Sequence, residues 1–106
     1  MDELDRVLSA VEFEWDQGNI GKNWERHRVA YVECEEVLLN GQLIISKDKA
    51  HSATEDRYRV LGKTDEGRVL FLAFTVRGDK IRVITARDAN KKERKAYEEA
   101  KRSAAL

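Results

Sequence analysis

Proline is absent from this 106-residue chain, cysteine occurs once, and 20 Lys/Arg are balanced by 20 Asp/Glu to a formal net charge of zero. Each shortage narrows the possibilities. A single cysteine, Cys34, cannot close an internal disulfide, and the Cys/His clusters of common zinc sites are missing. The chain therefore reads as cytoplasmic, with no metal and no cofactor expected. No run approaches the ~18 apolar residues of a membrane span, and the opening MDELDRVLSAVEFEWD is acidic without a cleavable apolar core. Neither secretion nor membrane insertion is expected. There is no Gly/Ser-rich linker, repeat or low-complexity block. GxSxG, Walker, GxGxxG and HExxH patterns are also missing, so the common hydrolase, nucleotide-binding and zinc-protease mechanisms are not indicated.

Net neutrality hides an uneven layout. Before Gln42 ten acids face four bases, and after it ten acids face sixteen bases, a dipolar arrangement whose basic half suits an anionic partner. The length fits one domain over 1–106, with 1–12 as an N-terminal extension and 89–106 as a C-terminal helix. Leu4, Val7, Leu8 and Val11 recur at helical spacing, and Phe13 and Trp15 alternate with acids as in a brief strand. Asp16 is placed to cap a helix over 17–27, with Ile20, Trp24 and His27 on one face and Trp24 as its anchor. A second helix runs from Tyr31 to Leu39 with Tyr31, Cys34, Val37 and Leu38 on its stripe, stopped by Asn40-Gly41. Cys34 reads as a core-facing small hydrophobe.

The back half alternates with period two. The pattern predicts strands at LIIS after Gly41, at Arg57–Lys63, at Arg68–Val76 and at Ile81–Ala86, the last three joined by short antiparallel turns. From Asn90 the chain is helix-prone, with Asp88 as N-cap, Ala96, Tyr97 and Ala100 as its few burying groups, and final residues that are mobile or ordered by a partner. The fold class is α+β: a small antiparallel sheet with two N-terminal helices packed on it and a C-terminal helix.

Arginines on a rigid sheet form a ready surface for phosphate. Arg57 and Arg59 share one face, opposite Asp56 and Tyr58; Arg77, Arg82 and Arg87 lie on strands or strand ends. Cross-strand pairing with carboxylates is the competing reading, with Asp79 and Asp88 the expected partners of Arg77 and Arg87. His27, between Arg26 and Arg28, reads as a capping residue or as a neutral imidazole able to take a proton. His51 reads as an exposed loop residue. Lys91, Lys92, Arg94 and Lys95 crowd the start of the last helix, where like charge opposes the dipole and an anionic partner would relieve it. RNA carries its own nucleophile, the 2′-hydroxyl, so a ribonuclease needs mainly alignment, a proton acceptor and positive charge.

FEWD, NWERH, HSATEDRYRVLG and TVRGDKIRVITARDANKKERKAYE, in that order, resemble the BrnT family of bacterial toxins over Phe13 to about Glu99. The resemblance implies a RelE-like fold and a cytoplasmic, translation-arresting endoribonuclease. It also implies a BrnA-like ribbon-helix-helix antitoxin, through which alone DNA is bound. A 2:2 heterotetramer, with the antitoxin's acidic segment over the arginine face, is the expected assembly. The family's Lys-His pair corresponds to Arg26 and His27, its Glu-x-Arg-Tyr strand to Glu55, Arg57 and Tyr58, its Thr-x-Arg turn to Thr75 and Arg77, and its Ser-Ala-Arg strand end to Thr85, Ala86 and Arg87. The glycine that often follows the histidine is Arg28 here, which costs about 1 kcal/mol if φ is positive. The expected catalytic residues are His27, Arg57, Tyr58, Arg77 and Arg87, with Arg26, Arg59, Arg82 and Lys91 binding RNA. A non-catalytic binding module, or a toxin whose site has degenerated, is the rival reading.

Overall fold

Along Val69–Arg77, Leu70, Leu72 and Phe74 are wholly buried while Phe71 and Ala73 are only partly covered, and this alternation sets the two faces of the molecule. The computed structural model describes residues 12–40, 42–51 and 55–104. In chain order these form β1 (Glu12–Phe13), α1 (Lys22–His27), α2 (Tyr31–Leu39), β2 (Ile44–Lys47), a single 3-10 turn at Lys49–His51, β3 (Arg57–Lys63), β4 (Val69–Arg77), β5 (Lys80–Asp88) and α3 (Lys91–Ala104). The expected helix over 4–11, the side chain of His51 and the chain's last two residues lie outside the described residues.

The five strands lie in the order β1-β5-β4-β3-β2, giving an α+β fold with two helices before the main sheet and one after it. β2 through β5 pair antiparallel, but β1 pairs parallel to β5. No hairpin dictates β1's direction, because the chain passes through both N-terminal helices before it enters β2 on the opposite edge. Tyr58, Val60, Leu70, Leu72, Phe74 and Val83 meet Val29, Cys34 and Val37 in the core on the helix side. Gly62 permits this approach: a Cβ there would stand 2.8 Å from side-chain atoms of Leu43 and Val37.

Helix α1 differs from expectation. Its sheet-facing residue is Asn23, 4 % exposed, whereas Trp24 is 50 % exposed and is no anchor. β1 stops beside Ile81, leaving the outer edge of β5 unpaired beyond it. Asn19 and Asn23 finish that edge: Asn19 Nδ2 donates to the Val83 carbonyl at 3.2 Å and the Ala86 N–H donates to Asn23 Oδ1 at 2.9 Å. Asp16 holds a turn by accepting from the Gly18 N–H at 2.8 Å, and no side chain caps α1, whose N-cap is Gly21. At the other end Arg28 takes φ 55. Its N–H bonds to the Trp24 carbonyl four residues back, as in an αL stop, and the Val29 N–H bonds to the Asn23 carbonyl.

The last helix is capped by Asn90, not Asp88. The Glu93 N–H donates to Asn90 Oδ1 at 2.8 Å while the Asn90 N–H donates to Glu93 Oε1 at 2.9 Å, a reciprocal box. Asp88 remains in β5 because Arg68 holds its carboxylate. Tyr97 is 2 % exposed, its hydroxyl donating to the Gln42 carbonyl at 3.0 Å, but Ala96 and Ala100 face solvent. Cys34 is fully buried, and burial pushes its thiol up to about 12.

Candidate RNA-binding face

The strand registers bring five of the expected arginines to the sheet face that α1 and α2 leave open. Arg57 pairs with Thr75 and Thr75 with Arg82; Arg59 pairs with Ala73; Arg87 pairs with Phe71; and Arg77 shares the parity of Thr75 and Ala73. Arg82 and Arg87 are five residues apart, which in a regular strand would put them on opposite faces. A register shift between Ala73 and Phe74, opposite Thr85 and Val83, leaves Ile84 as an extra residue. That bulge returns Arg87 to the side of Arg82.

The face divides along the strands. Arg57, Arg77 and Arg82 gather where β3 begins, β4 ends and β5 begins. Phe71, the partner of Arg87, lies six residues from Arg77, so Arg87 is ~20 Å away at the other end. Arg59 stands between them, exposed and without an ion pair to any described residue.

Carboxylates of the chain's own front half temper this charge. Arg82 Nη1 lies 3.0 Å from Glu14 Oε1 and 2.9 Å from Asp16 Oδ2, and its side chain is only 16 % exposed. Arg77 reaches Glu14 at 3.6 Å and Glu55 at 3.5 Å while staying 51 % exposed. Arg87 binds Glu93 through two hydrogen bonds, 2.7 and 3.0 Å. Asp79 and Asp88 are therefore not the principal partners expected for Arg77 and Arg87. In two of these pairs the members shift in the usual directions: Arg82 holds the Asp16 carboxyl below its ordinary value, Arg87 does the same to Glu93, and both guanidinium groups are raised in turn.

Four further expected residues sit elsewhere. Tyr58, stacked on Phe74 at 5.4 Å between ring centroids and 2 % exposed, belongs to the helix side of the sheet. Arg26 and His27 are exposed in the last turn of α1. The His27 carbonyl is near Arg68 at the Asp88 end of β5, so the imidazole is not gathered with Arg57, Arg77 and Arg82. Lys91 is exposed at the first turn of α3.

Sequence reasoning missed Arg68. Its guanidinium bonds Asp88 at 2.7 and 3.0 Å, Glu33 at 3.2 Å and the Arg28 carbonyl at 2.9 Å, which joins the end of α1, the start of α2 and the end of β5. Asp88 raises the Arg68 guanidinium further, and Arg68 lowers Asp88. Its place beside the turn at Gly67 was the only local signal, since its partners lie 20 to 40 residues away.

Fold and face together define an α+β protein with one helix-covered and one guanidinium-bearing sheet surface. Residues 15–93, 79 of the 106, match the family model described as the ribonuclease toxin BrnT of type II toxin-antitoxin systems. The chain belongs to the BrnT family. Membership makes it a ribonuclease toxin of a type II system, with RNA as target and a protein antitoxin as partner. No curated protein matches the chain. No described helix is long and apolar enough to cross a membrane.

Proposed function

We propose that this toxin cleaves RNA on the open sheet face without a metal ion, arresting translation in the cytoplasm. Arg57, Arg77 and Arg82 hold the scissile phosphate and stabilise the charge that develops on it. Arg59 and Arg87 take neighbouring phosphates, with Arg26 and Lys91 as outlying contacts. The observation that carries this reading is the common face of the five arginines. The substrate supplies the nucleophile, so guanidinium charge and alignment are the protein's main contributions. His27 and Tyr58 were the expected proton carriers; from the arginine face itself, Glu14 and Glu55 beside Arg77 are the groups better placed to accept a proton.

The test is cleavage of a cellular RNA by purified toxin in excess EDTA. Wild type cuts, and Arg77→Ala, exposed enough to keep its fold, loses at least 100-fold, roughly the worth of one oxyanion-stabilising donor. Undiminished cutting by Arg77→Ala, or a requirement for Mg²⁺, contradicts the assignment.

For the partner, a BrnA-like ribbon-helix-helix antitoxin supplies an acidic segment that replaces Glu14, Asp16 and Glu93 on the arginines, and DNA is bound only through it. The assembly is a 2:2 heterotetramer; a 1:1 mass by light scattering at all concentrations refutes that stoichiometry. A second reading, a binding module or degenerate toxin, draws support from the carboxylates already seated on Arg82 and Arg87. RNA bound but left intact by the wild type would favour it.

A further inference from the structure

On the open face, Ile44, Leu61 and Phe71 stand abreast. Ile44 pairs with Leu61 and Leu61 with Phe71, so three apolar side chains from adjacent strands form one row ~10 Å wide. None of the three is fully buried. Arg59 and Ser46, paired in register, occupy the next row, and Glu93 of α3 closes one side of a shallow cleft of about 170 Å³. That is smaller than the ~300–1,000 Å³ of a drug-sized ligand pocket and suits a single flat ring system. Arg87 lies beside it with its guanidinium 4.2 Å from the centre of the Phe71 ring, fixed in place by Glu93.

We propose that this cleft receives one unpaired nucleobase of the RNA and thereby sets which phosphate reaches the arginines at the far end of the sheet. The proposal rests on the reading of the open face as the RNA site. A base is flat, has an apolar π-face, and stacks on sheet-borne aromatic and apolar surfaces. Three half-covered side chains here lose water only to something of that shape. The charge around the cleft selects a nucleotide over an apolar side chain of the antitoxin. Arg59, one row or ~7 Å along the strands from the base, is free to take the attached phosphate. The next row holds Arg57 and Arg82, so the RNA strand runs parallel to the β-strands from cleft to scissile phosphate.

The experiment uses 2′-O-methyl RNA oligomers, which lack the nucleophile and stay intact, each with one abasic position, and reads binding by fluorescence anisotropy. With wild-type toxin, removing the base at one position weakens binding about tenfold or more, the scale of a single base–aromatic stack, and other positions matter little. Ser46→Trp, an exposed site whose new side chain fills the cleft, abolishes that sensitivity without lowering the melting temperature, and Phe71→Leu reduces it. If the oligomers bind but all abasic positions behave alike, the base subsite is refuted and the arginine face stands. If no oligomer binds, the RNA reading of the face fails and the subsite with it. If Ser46→Trp leaves the RNA profile unchanged but weakens antitoxin binding, the cleft takes a partner's side chain and the proposal is overturned.

Discussion

At the scale of single residues, three arginines bear on stability, Arg28 against the fold and Arg68 and Arg87 in its favour. Arg28 occupies the left-handed region at φ 55, which glycine adopts without steric cost. Among the described residues the return from its side chain is a guanidinium 5.5 Å from the Trp24 ring centre, in an exposed setting where such contacts contribute little. Arg28→Gly is therefore expected to stabilise the fold by about 0.5–1 kcal/mol, measured as a rise in urea midpoint at unchanged slope; a fall would show that the contact outweighs the strain. Arg68 and Arg87 set the response to acid. Arg68 lowers the Asp88 carboxyl and Arg87 lowers Glu93. A carboxylate whose folded pKa is depressed adds stability above its unfolded value, and that stability is lost as pH falls through the folded value. Urea midpoints should thus be flat from neutrality down to about pH 5 and decline below it. Arg68→Met should lower stability at pH 7 by about 2 kcal/mol and flatten the acid limb; an unaltered acid limb would exclude this origin.

At the scale of elements, the parts that were legible are those with strong local periodicity. α2 and β3 appear with the expected ends, and β4 and β5 differ by one or two residues, because apolar alternation and short turns specify strand and register together. α1 was misjudged at Trp24 because helical spacing describes which residues share a face and says nothing of which face meets the sheet. Asn23 wins that place by satisfying a backbone N–H that the short β1 leaves open. Likewise Asp88 loses the cap to Asn90 through an ion pair with a residue 20 positions away. The seat of α2 on the sheet depends on Gly62. Gly62→Ala should cost about 1–3 kcal/mol, because the added methyl meets Val37 and Leu43 at 2.8 Å in a packed layer. Thermal melting of this variant at wild-type stability would mean the layer relaxes freely.

For the molecule as a whole, the charge layout along the chain turns out to be folded back on itself. The acids of the front segment, Glu14 and Asp16, lie against Arg82, and Glu14 also meets Arg77. Period-two spacing was enough to group Arg57 with Arg59. It was insufficient for Arg82 and Arg87, whose shared face depends on a bulge at Ile84, and for the ion pairs of Arg82, which join residues more than 60 positions apart. Family resemblance supplied the ribonuclease reading; the backbone register groups the five arginines on one face.

The most direct measurement is an NMR titration of the toxin with uncleavable 2′-O-methyl RNA, following arginine side-chain N–H signals. The expected result is that Arg57, Arg59, Arg77 and Arg82 shift together at low salt and return as salt is raised, while α1 and α2 stay still. Perturbations confined to the outer surface of those helices, around Trp24 and Val32, would contradict an RNA site on the open sheet.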